Sequence, residues 1–334
     1  MKEYKILELF AGAGGLALGL EKAGLYAKYL VEIDKNASST LKNNRKNWNV
    51  LNQDIKHFVE NIFDYDLSGI DIVSGGFPCQ PFSYAGKKLG IEDSRGTLFY
   101  DFVTVVMKIK PKVILAENVK GLLNHDVGKT WNVIRSSFEE CGYKIFYKVL
   151  NSWNYGVAQK RERLILIGVR NDIKEEYIFP VPLEYKPVLK DVLIDVPKSE
   201  GYKYPKYKEE VFDLVPQGGC HRNLPEEIAK EYMGASYYLG GGKTGIARRI
   251  SWNEPCLTLT TSPMQKQTDR CHPEESRPFT VREYARIQSF PDDWIFQGSV
   301  SSQYKQIGNA VPVNMAYHLG KSIKEFLDKI DFEN

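Results

Sequence analysis

Residues 5–10 form a short apolar run that meets Gly12, Gly14 and Gly15 and passes at once into a helix-forming stretch, residues 16–23, closed by Gly24. A strand, a tight glycine turn and a helix in that order point to the α/β class, because parallel strands are joined by crossover helices. The same alternation continues downstream. Residues 26–33 read as a strand and 34–44 as a helix with Asp34 at its N-cap. Residues 71–74 read as a buried strand running into Gly75 and Gly76, and 97–110 as a helix that Pro111 ends. Residues 113–116 form another short buried strand, 130–141 a helix closed by Gly142, and 143–150 and 163–169 two further strands. The expected fold is a mixed, mostly parallel Rossmann-like sheet with helices on both faces. Ligands of such sheets sit at the carboxyl ends of the strands.

The rhythm changes after Asp172. Residues 180–280 are rich in Pro, Gly, Tyr and Lys and show few long periodic segments. Regular structure returns as helices at 280–288 and 312–327. This predicts two domains: residues 1–185 with 300–334 as the catalytic and cofactor-binding domain, and 186–299 as a smaller, irregular domain with a hinge. The net charge of +3 permits a nucleic-acid partner without demanding one. More telling is residues 240–270, where five basic side chains face two acidic ones. No apolar run approaches the ~20 residues of a membrane span. The charged N-terminus has no signal-peptide layout, so a cytoplasmic protein is expected. Five scattered cysteines argue against a disulfide framework, and no CxxC or HxxxH spacing supports a zinc site.

Three segments carry candidate chemistry. Gly12-x-Gly14-x-x-Ala17 fits the relaxed dinucleotide turn, with Glu32 twenty residues past Gly12, where an acid meets a ribose hydroxyl. It suits a nicotinamide cofactor and S-adenosylmethionine equally, and a ligand-free turn remains open. Gly240 to Thr244 lacks the first glycine of a phosphate loop, since Tyr237 stands there. In Gly75-Gly76-Phe77-Pro78-Cys79-Gln80-Pro81, two prolines stiffen the chain around a thiol just after a buried strand. Glu117 follows the strand 113–116, where a carboxylate is costly unless paired or protonated. Gln159-x-Arg161-x-Arg163 opens a third strand, whose alternation puts all three side chains on one face. Each segment alone also has a bland structural reading.

Together they resemble the cytosine-5 DNA methyltransferases of prokaryotic restriction-modification systems, nearly end to end. The resemblance rests on Phe10-Ala11-Gly12-Ala13-Gly14-Gly15, Gly76-Phe77-Pro78-Cys79-Gln80-Pro81-Phe82-Ser83, Glu117-Asn118-Val119 and Gln159-Lys160-Arg161-Glu162-Arg163. It continues with Arg282-Glu283-Tyr284-Ala285-Arg286-Ile287-Gln288 and Gln306-Ile307-Gly308-Asn309-Ala310-Val311-Pro312.

The resemblance implies methyl transfer from S-adenosylmethionine to C5 of a flipped-out cytosine in a short DNA sequence. Cys79 would be the nucleophile, with Glu117, Arg161 and Arg163 around the base. The cofactor would meet Phe10, Gly12, Gly14, Leu16, Glu32, Ile33, Asp54, Ile55, Pro78, Leu98, Asn309 and Val311. Duplex DNA would meet Gln80, Ser83, Arg95, Gln159, Arg248, Arg249, Thr258 and Leu259, in the cleft between the domains. Arg286 would support the second domain. Double-stranded DNA is the expected partner of a monomer, with room for a restriction endonuclease acting on the same site. No metal is implied. An RNA methyltransferase is the nearest rival, and the long segment between Arg163 and Arg282 favours DNA. A nicotinamide oxidoreductase gives no joint role to Cys79, Glu117 and Arg163. A catalytically dead DNA-binding regulator is at odds with intact Cys79 and Glu117.

Overall fold

The apolar runs near the N-terminus are buried as central strands of a parallel sheet must be. In chain order the elements of the computed structural model, which describes residues 2–78, 98–239, 245–265 and 268–332, are β1 (Lys5–Leu9), α1 (Gly15–Lys22), β2 (Tyr26–Val31), α2 (Lys35–Asn44), β3 (Asn49–Leu51), α3 (Ile55–Glu60), β4 (Ile70–Gly75) and α4 (Leu98–Ile109). There follow β5 (Val113–Val119), α5 (Lys129–Glu140), β6 (Tyr143–Asn151), β7 (Gln159–Lys160), β8 (Glu162–Arg170), α6 (Leu189–Val192), α7 (Lys206–Asp213) and α8 (Glu226–Met233). The last are β9 (Cys256–Leu257), α9 (Val281–Ile287), α10 (Val300–Asn309) and α11 (Val313–Phe332).

The chain divides into two compact units, the first comprising Met1–Asn151, Glu162–Pro182 and Val313–Asn334. It carries a seven-stranded sheet in the order β3-β2-β1-β4-β5-β8-β6. The pairings β1–β2, β1–β4, β2–β3 and β4–β5 are parallel, whereas β8 runs antiparallel to both β5 and β6. After β1 the chain builds outward to β3 and then returns to the other side of β1 as β4. That reversal makes the carboxyl ends of β1 and β4 the switch point where ligands of open α/β sheets bind.

Local chemistry explains the helix ends. The Asp34 carboxylate accepts from the amides of Asn36 and Ala37, a side-chain N-cap on α2. Gly24 and Gly142, just past α1 and α5, take left-handed φ values of 86° and 88°. The core gathers Leu7, Leu9, Val73, Phe99, Phe102, Ile114, Phe138 and Leu164. The C-terminal α11 packs on α1 through small residues. A Cβ on Gly19 would lie 2.4 Å from the Ala316 Cβ, and one on Gly320 would lie 2.7 Å from the Ala23 Cβ.

The second unit comprises Ser152–Arg161 and Leu183–Pro312. It has its own core of Tyr204, Phe212, Val215, Tyr232, Met233, Ile246 and Cys271, with the rings of Tyr204 and Phe212 stacked at 4.9 Å. Its charges are internalised in pairs. The Lys208 ammonium lies 2.5 Å from Asp269, which also accepts from the Tyr232 hydroxyl at 3.1 Å.

These boundaries correct the sequence-based division. Residues 300–312 belong with the second unit, because α10 packs on α9: the Tyr284 and Tyr304 rings meet edge to face at 5.0 Å. Residues 152–161 belong there too, since β7 pairs with β9. The helices α7, α8 and α10 stand where the sequence showed no long period.

The contact between α1 and α11 leaves no room for a side chain at Gly19. Gly19→Val is expected to destabilise the protein by about 3 kcal/mol through overpacking. Urea denaturation checks this as a lower midpoint at unchanged slope.

Candidate active site

Four strand ends of the first unit supply the site. At the end of β1, Phe10 takes a positive φ of 57° and Gly12 one of 55°. Gly14 is the left-handed N-cap of α1, and Leu16 is buried in its first turn. The turn is pinned from β2. The Ala11 amide donates to the Val31 carbonyl at 3.1 Å, and the Gly12 amide donates to Glu32 Oε2 at 2.7 Å. The other carboxylate oxygen of Glu32 accepts from the Asp34 amide at 2.6 Å. A carboxylate oxygen carries more than one acceptor position. Next to it the Ile33 side chain is 64% exposed, an apolar surface at a strand end. Nothing lies within 4 Å of a Cβ built on Gly12, so that side of the turn faces open space.

The other expected cofactor residues of this unit are more varied. Asp54 caps α3 by accepting from the Lys56 amide at 2.9 Å. The Ile55 side chain is buried in the main core, so only its backbone is available to a ligand. Leu98 opens α4 partly buried against that core, and Pro78 is exposed.

Beneath the turn, Glu8 of β1 is wholly buried. Ser74 Oγ lies 3.5 Å from its Oε2. Burial pushes its carboxyl up to about 8; hydrogen bonds from the Ala17 amide and Ser74 oppose the rise, and the nearby Glu32 charge adds to it. The sequence analysis assigns this group no role; its signal is an acid inside an otherwise apolar strand.

At the end of β4, the backbone of the Gly76–Pro78 segment is held from β5. Asn118 Nδ2 donates to the Phe77 carbonyl at 3.0 Å, and the Glu117 Oε2 lies 3.0 Å from the Cβ position of Gly76. Glu117 pairs with Arg163, Oε1 to Nε, at 2.8 Å, and both side chains are about 13% exposed. One expectation is corrected here: the strand runs through Glu117 to Val119, because antiparallel pairing with β8 continues to Arg163. The carboxyl is paired, one of the two conditions its place at the end of an apolar run sets.

Gln159 and Arg161 do not share a strand face with Arg163. They lie in the second unit, in and just after β7, at 0% and 2% exposure. Arg161 donates to the Leu259 carbonyl at 3.1 Å and to the Gly308 carbonyl at 2.9 Å. Gln159 accepts from the Leu259 amide at 2.9 Å and donates to Gln288 at 2.9 Å. Gln288 donates in turn to the Ile307 and Ala310 carbonyls. The Arg161 guanidinium thus donates to two backbone carbonyls, and the Gln159 amide links Gln288 to the Leu259 amide. They brace Thr258–Leu259 and the segment carrying Asn309 and Val311.

The DNA-reading candidates fare likewise. Arg249 is 5% exposed and donates to the carbonyls of Phe212, Val215, His272 and Pro273 and to Ser276. Arg248 is bidentate to Glu254 and also donates to the Gly218 carbonyl. In this structure the Arg249 guanidinium is spent inside the second unit, and Arg248 is engaged through its two terminal nitrogens by Glu254 and the Gly218 carbonyl, which differs from the free basic patch expected from the sequence. The Leu259 side chain is 1% exposed and belongs to the interior, whereas Thr258 is half-buried and donates to the Lys160 carbonyl. Asn309 is exposed at the end of α10, and Val311 is buried. Arg286 donates to Asp292 and to the carbonyls of Val192, Ile194 and Asp195, which fits its expected supporting role. Cys79, Gln80, Ser83 and Arg95 lie outside the described residues.

The family model of C-5 cytosine-specific DNA methylases matches residues 4–325. The chain belongs to that family. It is 59% identical over 99% of its length to the Type II methyltransferase M.Sau96I of Staphylococcus aureus, covering 78% of that protein. It is 56% identical over 98% of its length to M.Eco47II of Escherichia coli, covering 80% of it. A solved structure of the DNA modification methyltransferase type, encoded in an E. coli prophage, superposes with a TM-score of 0.70 at 26% identity, covering 98% of this chain and 100% of the other. The protein is therefore a DNA cytosine-5 methyltransferase of the restriction-modification type, and DNA takes precedence over RNA as its substrate. Among the described residues no helix is long and apolar enough to cross a membrane.

The buried Glu8 makes stability depend on pH. An acid whose folded value is raised to about 8 from 4.5 binds its proton more tightly in the fold than in the unfolded chain. Its cost is absent below the lower value, grows between the two and is complete above the upper one. Glu8→Gln should therefore gain stability relative to wild type by about 1 kcal/mol per pH unit across that window. Urea denaturation at pH 5, 6.5 and 8 checks this, and parallel curves would contradict it.

Proposed function

We propose that Cys79 is the nucleophile of this methyltransferase, and that Glu117 and Arg163 hold the target cytosine while it reacts. The observation that carries this reading is the Glu117–Arg163 pair at 2.8 Å, with Asn118 next to Glu117 anchoring the Phe77 carbonyl two residues before Cys79. A cytosine cannot reach such a site from within a duplex, so the base is flipped out at a cost of a few kcal/mol. Addition of the Cys79 thiolate to C6 breaks the ring's aromaticity and makes C5 nucleophilic. Glu117 holds the N3 and amino edge, and Arg163 keeps Glu117 oriented while offering donors to O2. After C5 has taken the methyl group, loss of its proton and expulsion of the thiolate restore the ring. One difficult substitution thus becomes two easier steps.

S-adenosylmethionine supplies an electrophilic methyl group on a sulfonium. The first unit fits this cofactor: the Gly12 turn has open space, Glu32 keeps acceptor positions for ribose hydroxyls, and Ile33 offers an apolar face to the adenine. Phe10, Gly14, Leu16, Asp54 and the backbone of Ile55 complete this end. Pro78 and Leu98 serve the methionine end. The second unit reads the DNA, with Thr258 near the recognised bases. The enzyme acts on DNA as a cytoplasmic monomer, with room for a restriction endonuclease acting on the same site; its likeness to Type II methyltransferases supports the restriction-modification part of this reading.

Bisulfite sequencing of unmethylated genomic DNA incubated with the protein and S-adenosylmethionine should protect cytosines in one short sequence. Cys79→Ser should abolish protection, lowering the rate by about a hundredfold or more. Full activity in that variant would sink the covalent route. Gly12→Ala puts a methyl group into the open side of the turn at an unfavourable φ. It should weaken cofactor affinity by about tenfold or more in isothermal titration, with little change in DNA affinity in the absence of cofactor.

A further inference from the structure

We infer that Arg222 reads a guanine of the DNA target, an assignment that rests on the proposal that the second unit reads DNA. Arginine's planar fork fits the O6 and N7 acceptors that guanine presents in the major groove. The second unit contains eight arginines, all among the described residues. Seven have internal partners. Arg161, Arg249 and Arg282 donate to backbone carbonyls, and Arg270 donates to the Asp269 and Thr258 carbonyls. Arg248, Arg277 and Arg286 are paired with carboxylates. Arg222 is exposed and has no hydrogen bond or ion pair among the described residues.

An exposed arginine is ordinarily a solvated one. Three observations set this one apart. It lines a cavity of about 560 Å³ with His221, Leu224, Tyr237 and Leu239, so its surroundings are concave and partly apolar. Its backbone is fixed in a short 3-10 turn, His221–Asn223, in which the His221 amide donates to the Ile246 carbonyl and Asn223 caps the Cys220 amide at 3.0 Å. His221 and Leu224 flank it as buried anchors. The acid at the cavity, Glu226, is paired with Lys230 at 2.6 Å, so its charge is balanced within α8. Exposed Tyr238 and Leu239 add apolar surface beside the cavity for contact with a base or sugar. A fork with no partner among the described residues, carried on fixed backbone beside a shaped cavity, suits base readout, whereas a phosphate contact requires only charge.

The test uses the full-length enzyme and short duplexes carrying its own target, with each guanine replaced in turn by 7-deazaguanine, which lacks the N7 acceptor. Wild type should lose about tenfold in kcat/KM at one guanine. Arg222→Gln should lose about tenfold on the unmodified duplex and nothing further when that guanine is 7-deaza. Arg222→Lys, which keeps the charge without the fork, should fall between the two, and thermal melting should show all three proteins equally folded. A uniform loss over all duplexes, with the salt dependence of binding reduced by about one ion, would make Arg222 a phosphate contact and overturn the proposal. Unchanged kinetics would overturn it as well. Thr258→Ala, assayed on duplexes with single base changes, separates the two levels. If it alters sequence preference and Arg222→Gln does not, only the Arg222 assignment falls. If neither does, DNA reading by this unit falls with it.

Discussion

The reversal of one strand sets the chemistry of this protein. Were β8 parallel to β5, Arg163 at its start would lie at the opposite edge of the sheet from Glu117, roughly 20 Å away at ~3.3 Å per residue. Running antiparallel, β8 brings Arg163 opposite Val119, two residues along from Glu117, and the two side chains meet at 2.8 Å. The carboxylate at the end of a buried strand therefore has its countercharge built into the ladder. The same ladder carries β5 past Glu117, so that Asn118 can hold the Phe77 carbonyl at the end of β4. Cation and carboxylate are brought together by the register of the ladder, and the Asn118 side chain ties the end of β4 to it.

The cofactor end obeys a related economy. Glu32 spends its two oxygens on the Gly12 and Asp34 amides and so ties the glycine turn of β1 to the end of β2. The carboxylate proposed to meet the ribose is thereby held in place by the backbone of two strand ends. Buried Glu8 lies beneath the same turn and holds the first turn of α1 through the Ala17 amide. An apolar residue there would be cheaper to bury. The acid costs stability at neutral pH and supplies a polar anchor at the point where the turn departs from regular strand geometry.

Much of the first unit was legible because its elements are long relative to their periods and end in residues with one physical meaning: Asp34 as a cap, Gly24 and Gly142 as left-handed stops. The glycine turn, Glu32 and Glu117 could be read for the same reason, as each interrupts an apolar run. What failed depended on partners distant in sequence. Alternation through Gln159, Arg161 and Arg163 could not reveal that the chain leaves one unit for the other between Arg161 and Glu162. Arg248 and Arg249 read as a basic patch, yet Arg249 neutralises carbonyls more than thirty residues upstream, at Phe212 and Val215. Helices α7 and α8, each only eight residues long, sit in a Pro- and Tyr-rich stretch and owe their stability to the Tyr204–Phe212–Tyr232 core rather than to a strong period.

Gln159, Arg161 and Gln288 explain why motifs far apart in the chain occur together. Each is buried, and each satisfies backbone groups of segments that have little regular structure of their own. The stretch around Thr258–Leu259 has only the two-residue β9 to fix it, and the turn after α10 has no strand at all. Without side-chain partners, their buried carbonyls and amides would be left unpaired, at roughly 1–3 kcal/mol each. Two amides and one guanidinium satisfy them and set the spacing between the two segments. If Thr258 meets DNA and Asn309 meets the cofactor, a shift of either segment is resisted by the same three side chains. The buried glutamine and arginine of the 159–163 segment are thus tied into the backbone of the second unit, while Arg163, one residue into β8, is paired with Glu117 in the first.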